Sequence, residues 1–163
     1  MQPHPEFSLR FATPEDNEFL YQLYADSRAV ELQAAGFSAE QREDFCRMQF
    51  GFRQHHYGLH FGHAQDRILL WQGVAVGREL VTRDPDLIGL TDIAILSSYQ
   101  DRGMGSFLLR GLIAESVAQK IPIELHVDQG SRAQALYERH GFVIVEDQFP
   151  NWYMRRPPVA AAY

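Results

Sequence analysis

The pattern of apolar and polar positions between residues 87 and 120 predicts a strand, a turn and a helix, in that order. Residues 87–96 form a mostly apolar run, which is typical of a strand buried on both faces. Gly103 and Gly105 interrupt the polar stretch that follows, and leucines then recur at helical spacing. Because glycines lack a Cβ atom, several N–H groups of this turn can face one cavity at the start of the helix, where the helix dipole favours an anion. We therefore expect a phosphorylated ligand to bind there.

Before this region the pattern predicts one strand, two helices and a hairpin. Thr13 supplies an N-cap and the next residue is a proline, so a helix should follow and end before Gly36. Ser38 and Gln41 have the spacing of a capping box, which predicts a second helix. The strands are expected at residues 7–12, 67–71 and 75–82, with a tight turn at residues 72 and 73.

Beyond the central helix, which should end near Lys120, the pattern predicts a further strand, a short helix and a final hairpin. The further strand follows a helical crossover, so it should be parallel to the strand at residues 87–96. The short helix should stop at Gly141. The expected boundaries are 121–127 for the strand, 131–140 for the helix, and 142–146 and 152–155 for the hairpin, with flexible ends at 1–6 and 157–163.

Composition narrows the class of protein without identifying a substrate. A chain of 163 residues is long enough for one domain with a substantial core, and a single cysteine, Cys46, excludes a disulfide within it. The first six residues do not resemble a secretion signal, and no apolar run approaches the roughly 20 residues of a membrane span. The net charge of −6 and the absence of a Lys/Arg cluster argue against nucleic acid as a partner. We therefore expect one cytoplasmic domain.

The turn at residues 100–105 does not match two common phosphate-binding motifs. It lacks the Lys-Ser/Thr ending of a P-loop, and it has no third glycine at the dinucleotide-binding spacing. The run Gln100-Asp101-Arg102-Gly103-Met104-Gly105, after a strand and opening a helix, instead resembles motif A of the GNAT superfamily of acyl-CoA-dependent N-acyltransferases. The run Leu136-Tyr137-Glu138-Arg139-His140-Gly141-Phe142 resembles a second signature of that superfamily.

The resemblance implies an α/β (α+β) protein with the GNAT fold. In that fold, a mixed central sheet of six to seven strands is antiparallel except for a parallel, splayed central pair, and about four helices flank the sheet. The resemblance also implies an N-acetyltransferase. Such an enzyme moves the acetyl group of acetyl-CoA to a primary amine of a small molecule or peptide N-terminus by direct attack in a ternary complex. A homodimer formed through the terminal hairpin or an edge strand stays open.

The same resemblance implies how the coenzyme is held. The amides of the turn should bind the diphosphate, the end of the motif A strand should pair with the pantetheine arm, and the amide near Ile95 should bind the thioester oxygen. For Arg102, a solvated surface charge is the alternative to a phosphate contact. Gly130 stands where many members have an asparagine that contacts the coenzyme, and Ser131 or a water could substitute. The expected coenzyme-binding residues are Ile93, Ile95, Leu96, Ser97, Gln100, Asp101, Arg102, Gly103, Met104, Gly105, Ser106, Ser131, Ala133 and Tyr137.

Three residues are candidates for the proton transfers. Tyr137 is the tyrosine of the second signature and, by resemblance, the acid that protonates the departing thiolate; the alternative is a tyrosine packed in the core. Asp92, a carboxylate in an otherwise apolar strand, and His126, since imidazoles titrate near neutrality, are candidates for the base. Either could instead be a structural group. Glu124 and a relaying water are further candidates for the base.

The two helices predicted before the sheet would line the acceptor side of a GNAT fold. Candidates for acceptor contact are Phe37 and the residues near Gln49, Phe52 and His56. A position in the core is the better interpretation for Phe45, Met48 and Phe52.

A histidine-rich stretch, residues 55–63, follows the second helix. His56, His60 and His63 could suggest a metal site, but Gly58 and Gly62 should end the helix and no cysteine or acid lies nearby, so an exposed loop is expected and no metal. The segments predicted to cover the acceptor site, residues 37–41, 55–63 and 149–152, carry little concentrated negative charge, which favours a small or amino-acid-like amine first and a peptide N-terminus second. The alternative function is a non-catalytic acyl-CoA-binding sensor or assembly subunit.

Overall fold

The computed structural model describes residues 6–60 and 62–160, and within them it contains seven strands and four α-helices. This content confirms the α/β class and the number of strands and helices expected. In chain order the elements are β1 Phe7–Phe11, α1 Asn17–Ala34, α2 Ala39–His60, β2 Gln65–Trp71, β3 Val74–Asp84, β4 Leu87–Ile95, α3 Met104–Gln119, β5 Ile123–Asp128, α4 Arg132–Arg139, β6 Val143–Gln148 and β7 Asn151–Arg156. Two 3₁₀ turns, Pro14–Asp16 and Ser97–Tyr99, precede α1 and follow β4.

The strands of the described chain form one sheet in the order β1-β2-β3-β4-β5-β7-β6. Strands β4 and β5 are parallel, as expected, whereas β1–β2, β5–β7 and β6–β7 are antiparallel. The β4–β5 register runs from the pair Ile88–Ile123 to the pair Leu90–Leu125, although β4 continues to Ile95 and β5 to Asp128. The central parallel pair is therefore splayed.

The described chain divides into two compact units. The first comprises the residues up to Arg78 together with Ala94–Gln100, and the second comprises Glu79–Ile93 together with the residues from Asp101 onward. In the first unit, aromatic side chains of α1 and α2 form a core around Cys46. In the second, side chains of β4, β5, α3 and α4 form a larger core. That all of this is a single domain stays a prediction.

Local signals placed the helix starts and one hairpin correctly. The Ser38 amide donates to Gln41 Oε1 at 2.8 Å, and the Gln41 amide donates to Ser38 Oγ at 3.1 Å, so the capping box forms. The turn between β2 and β3 consists of Gln72 and Gly73, both with positive φ, as a two-residue hairpin turn requires. The helix expected after Thr13 begins with a 3₁₀ turn before it becomes α1.

The loop predicted at residues 55–63 was wrong up to residue 60, because α2 continues through Gly58 to His60, whereas residues 62 and 63 form a turn. A glycine in a helix costs only about 1 kcal/mol relative to alanine, and other interactions can offset that cost. One such interaction lies in the preceding turn, where Arg53 Nε donates to the Tyr57 hydroxyl at 2.8 Å across an i,i+4 pair.

The prediction that Met48 and Phe52 belong to the core was also wrong, since 49% of Met48 and 64% of Phe52 are exposed. Phe45 is partly buried and packs edge-to-face on Phe37 with ring centroids 5.6 Å apart. Helical spacing identified one apolar face of α2, but it did not show how much of that face is buried by other side chains.

The predicted flexible ends are only partly within the described residues. Residues 1–5 and 161–163 lie outside them. The Glu6 carbonyl accepts from the Gln72 amide at 2.9 Å, and Arg156 donates to the carbonyls of Pro157 and Val159 at 3.1 and 3.0 Å. None of the described helices is both long enough and apolar enough to cross a membrane.

Candidate functional site

In the second unit, β4 loses its parallel partner just before Asp92. The last registered pair joins Leu90 to Leu125, so Asp92 and Ile93 lie on β4 beyond the paired segment. His126 lies at the same point on β5, where it still pairs with Tyr153 of β7. The backbone groups of Ile93 therefore lie beyond the ladder and can bind a ligand.

The glycine turn in the same unit leads directly into α3. Gly103 has φ of 81° in the left-handed region and is the N-cap residue, and the first turn of α3 contains no acidic side chain. The buried Met104 can contribute only its backbone to a ligand, whereas Arg102 is exposed. Asp101, also with positive φ, pairs with Arg132 of α4 at 2.6 Å. The positive charge of Arg132 thus offsets the negative charge of Asp101, which is the only carboxylate among residues 101–106.

Gly105 lies where α3 comes close to a side chain of α4. A Cβ atom at Gly105 would lie 2.9 Å from Leu136 Cδ2, so α4 approaches α3 closely at this point. One residue later, Ser106 Oγ lies 3.0 Å from His140 Nε2. Burial, followed by the positive charges of Arg110, Arg139 and Arg156, lowers the pKa of His140. His140 is therefore neutral at neutral pH and can share a hydrogen bond with Ser106.

Tyr137 is buried in the second unit, with 6% of its surface exposed and its ring centroid 5.6 Å from that of Phe142. None of the described residues offers its hydroxyl a hydrogen bond. Burial, together with the negative charge of Asp92, raises the pKa of Tyr137 well above its usual value. The phenol therefore remains protonated at neutral pH and is able to donate a proton. Tyr137 is thus a core residue that also feels the Asp92 charge at the open end of β4, and its role as the acid stays a prediction.

His126 and Glu124 lie on the opposite face of β5 from the buried Leu125. Glu124 accepts from Arg155 Nε at 2.8 Å, and the ring of His126 lies 5.0 Å from that of Tyr153. Burial alone would raise the pKa of Glu124, but hydrogen bonds from Tyr153 and Arg155 outweigh it and lower this pKa. Glu124 is thus a paired carboxylate, whereas the His126 side chain is exposed.

In the first unit, the end of β4 is held tightly on its β3 side. The Leu96 amide donates to the Val76 carbonyl at 2.9 Å, and a Cβ atom on Gly77 would lie only 2.6 Å from the Ala94 carbonyl oxygen. Since backbone groups alternate along a strand, the amide and carbonyl of Ile95 point to the other edge. Gln100, expected to contact the ligand directly, donates its side-chain amide to that carbonyl at 3.2 Å.

The turn after β4 is fixed from two further directions within the first unit. Asp26 of α1 accepts from both the amide and the hydroxyl of Ser97, each at 2.8 Å. Trp71 packs edge-to-face on Tyr99 with centroids 5.5 Å apart. Neither Asp26 nor Gly77 was identified from the sequence, because nothing local to either residue signals a contact with this strand end.

At the start of α4, Ser131 is the N-cap residue, and its hydroxyl accepts from the Gln134 amide at 3.2 Å. Gly130 has a positive φ of 79°, and its amide donates to Gln134 Oε1 at 2.7 Å. Ala133 is partly buried against the core of the second unit. The Ser131 hydroxyl, expected to substitute for the missing asparagine, is therefore already used in capping.

No group of three or more His, Cys, Asp or Glu side chains within residues 6–60 and 62–160 is arranged to hold a metal ion.

Comparison with known proteins gives one family and many similar structures. A family model described as an acetyltransferase (GNAT) domain matches residues 58–144. No curated protein sequence is significantly similar to the chain.

Three solved structures illustrate the structural similarity. The PaiA N-acetyltransferase of Thermoplasma acidophilum, in complex with coenzyme A, has a TM-score of 0.70 at 16% identity, covering 93% of this chain and 98% of that one. A GNAT family acetyltransferase of Elizabethkingia anophelis with acetyl-CoA bound has a TM-score of 0.58 at 15% identity, covering 94% and 99%. The ribosomal-protein-S18-alanine N-acetyltransferase of Escherichia coli has a TM-score of 0.63 at 18% identity, covering 96% of each chain. At these identities the similarity establishes the fold alone.

Proposed function

Because this chain belongs to the GNAT family of acetyltransferases, we propose that it transfers the acetyl group of acetyl-CoA to a primary amine of a small molecule or a peptide N-terminus. The reaction is direct attack of the amine on the thioester in a ternary complex. The observation that carries this proposal is the separation of β4 from β5 beyond the pair Leu90–Leu125, next to a glycine turn that opens α3. Similar structures that contain coenzyme A or acetyl-CoA support the choice of donor.

In the second unit, backbone amides from Arg102 to Ser106 receive the diphosphate of the donor at the start of α3, where the helix dipole also favours an anion. The Ile95 amide, which points away from β3, donates to the thioester oxygen and stabilises the charge that develops on it during attack. Gln100 holds the Ile95 carbonyl and so keeps this part of the strand in place.

Tyr137 is the general acid in this proposal. Its phenol remains protonated because burial and the Asp92 charge both disfavour the phenolate. A neutral phenol can protonate the thiolate of coenzyme A as the thioester bond breaks, which allows the leaving group to depart as a thiol. In this proposal the negative charge of Asp92 helps to keep the Tyr137 phenol protonated.

His126 is the base that we assign to the amine. Its side chain is exposed on the face of β5 opposite to the core that holds Tyr137, so the proposed acid and base lie on different faces of this strand. Glu124 is less suitable because Arg155 and Tyr153 already bind its carboxylate. Asp92 acting through a water remains the alternative base.

The proposal is tested by incubating the purified protein with acetyl-CoA and a panel of phenethylamine, spermidine, glycinamide and an alanyl dipeptide. We expect thiol release above hydrolysis for at least one amine, with the acetylated product identified by mass spectrometry. Saturable acetyl-CoA binding without amine-dependent thiol release would contradict the transferase and favour the non-catalytic acyl-CoA binder. A cytoplasmic location and a homodimer stay predictions.

A further inference from the structure

The carboxylate of Asp26 has an unusual set of partners in the first unit. It accepts the Ser97 amide and the Ser97 hydroxyl, each at 2.8 Å, and both of these donors are neutral. The two oxygens are therefore fixed in position, and each retains a lone pair that can accept another hydrogen bond.

Several other acids of the first unit are paired with arginines, although Glu15, Glu40 and Asp44 are in no such pair among the described residues. Within the described residues, Asp26 takes part in no salt bridge. The neighbouring ion pairs are Glu18–Arg47, Glu43–Arg47, Glu31–Arg28 and Asp66–Arg78, with nitrogen to oxygen distances of 2.9 to 3.1 Å. A carboxylate fixed by neutral donors, without a cation, retains its full negative charge for a ligand.

The position of Asp26 relates this charge to the proposed thioester site. Ser97 follows Ile95 by two residues, and the intervening Leu96 amide is bound to Val76. The carboxylate thus lies beside the short segment whose Ile95 amide is proposed to receive the thioester oxygen. An acceptor amine must reach the carbonyl carbon attached to that oxygen, so it must come close to this segment.

We infer that Asp26 binds the amino group of the acceptor, which therefore belongs to the class of primary alkylammonium compounds. This inference rests on the proposed acetyl transfer and extends it to the charge of the acceptor. The carboxylate attracts the ammonium form from solution and accepts one of its N–H bonds, so the nitrogen is held near the thioester before it loses a proton to the base. A neutral aromatic amine receives no such attraction.

The test measures kcat/KM for the most rapidly acetylated alkylamine of the panel, and for aniline, in Asp26→Asn and in the matched control Glu31→Gln. Glu31 lies on the same helix, is exposed and pairs with Arg28, so the control removes the same charge from α1. We expect Asp26→Asn to lower kcat/KM for the alkylamine about 10- to 100-fold, mainly through KM, because one hydrogen bond to a charged group is lost. For aniline the loss should be less than about threefold, and Glu31→Gln should match the wild type.

A structural role for Asp26 predicts a different result. If Asp26 only holds the turn, Asp26→Asn will weaken acetyl-CoA binding, measured by calorimetry, as much as it lowers turnover, and will affect both amines alike. Ser97→Ala removes one of the two hydrogen bonds but keeps the carboxylate. It would then also show a large part of the decrease in acetyl-CoA binding and in turnover. Either result overturns the inference. A wild-type protein that acetylates no amine overturns the proposed function itself, whereas wild-type turnover that equals that of Asp26→Asn overturns only the role of Asp26.

Discussion

On strand β5, Ile123, Leu125 and Val127 point into the core of the second unit, whereas Glu124 and His126 lie on the other face beside side chains of β7. The first face packs against α3 and α4 and contains no ionisable group. The second contains an acid, a base and a cross-strand ion pair. The same six-residue strand thus packs into the core on one side and presents ionisable side chains on the other.

The contrast between the two faces of β5 shows how core packing can be separated from the exposed ionisable side chains. Leu125 can hold β5 in place without contacting a ligand, and His126 can be exposed without weakening the core, because alternate side chains of a strand point to opposite faces. Tyr137 is the exception on the buried side, since it belongs to the core yet retains a hydroxyl that no described residue binds. Mutations on the two faces should therefore affect different measurements.

The largest effect is expected from the adjacent pair Leu125→Ala and His126→Ala. Leu125 is 3% exposed, so its truncation leaves a cavity and should lower the free energy of unfolding by about 2–5 kcal/mol in urea denaturation. His126→Ala should change that free energy by less than about 0.5 kcal/mol but lower kcat/KM at neutral pH about 10- to 100-fold. Equal losses of stability in the two variants would contradict the separation of the buried face of β5 from its exposed face.

Tyr137→Phe should lower kcat about 100-fold, which corresponds to about 2.7 kcal/mol of transition-state stabilisation. Acetyl-CoA affinity and thermal stability should change little, because the phenylalanine keeps the packing against Phe142 and no described residue loses a hydrogen bond. Steady-state kinetics and calorimetric titration separate the two quantities. A matched decrease in affinity and turnover would assign Tyr137 to packing.

The smallest effect is expected for Glu124→Gln, which should lower the free energy of unfolding by less than about 1 kcal/mol at pH 7, since Arg155 is half exposed. The folded state lowers the pKa of Glu124, so its ion pair stabilises the protein above the ordinary carboxyl range and is lost as pH falls through the lowered value. The difference between variant and wild type should therefore disappear below about pH 4. Denaturation curves at several pH values measure it, and a difference that grows on acidification would have the wrong sign.

Much of the fold could be predicted because its signals are local. The capping box at Ser38 and Gln41, the turn at Gln72 and Gly73, and the glycine turn before α3 each involve residues close in sequence. Gly58 wrongly predicted the end of a helix. Helix α2 continues past it because a helix tolerates one glycine when neighbouring turns are stabilised. Local patterns thus gave the order of the elements better than their ends.

The candidate site was predicted less completely because its contacts are distant in sequence. Asp26 and Ser97 are separated by 71 positions, and Asp101 and Arg132 by 31. Gly105 was expected to expose backbone to a ligand, and a Cβ atom there would also come within 2.9 Å of Leu136 Cδ2, so the Leu136 side chain would have to move. Such pairings depend on how helices pack, which periodicity along one segment does not contain.

Gly77 leaves no room for a side chain between β3 and the end of β4. A methyl group there would approach the Ala94 carbonyl oxygen to 2.6 Å and the Ile95 side chain to 2.9 Å, so any larger residue would push the end of β4 outward. The spacing between β3 and the end of β4 is therefore set by main-chain atoms at this point, and no side chain at position 77 can adjust it. A change in the position of Ile95 has to come from residues other than Gly77.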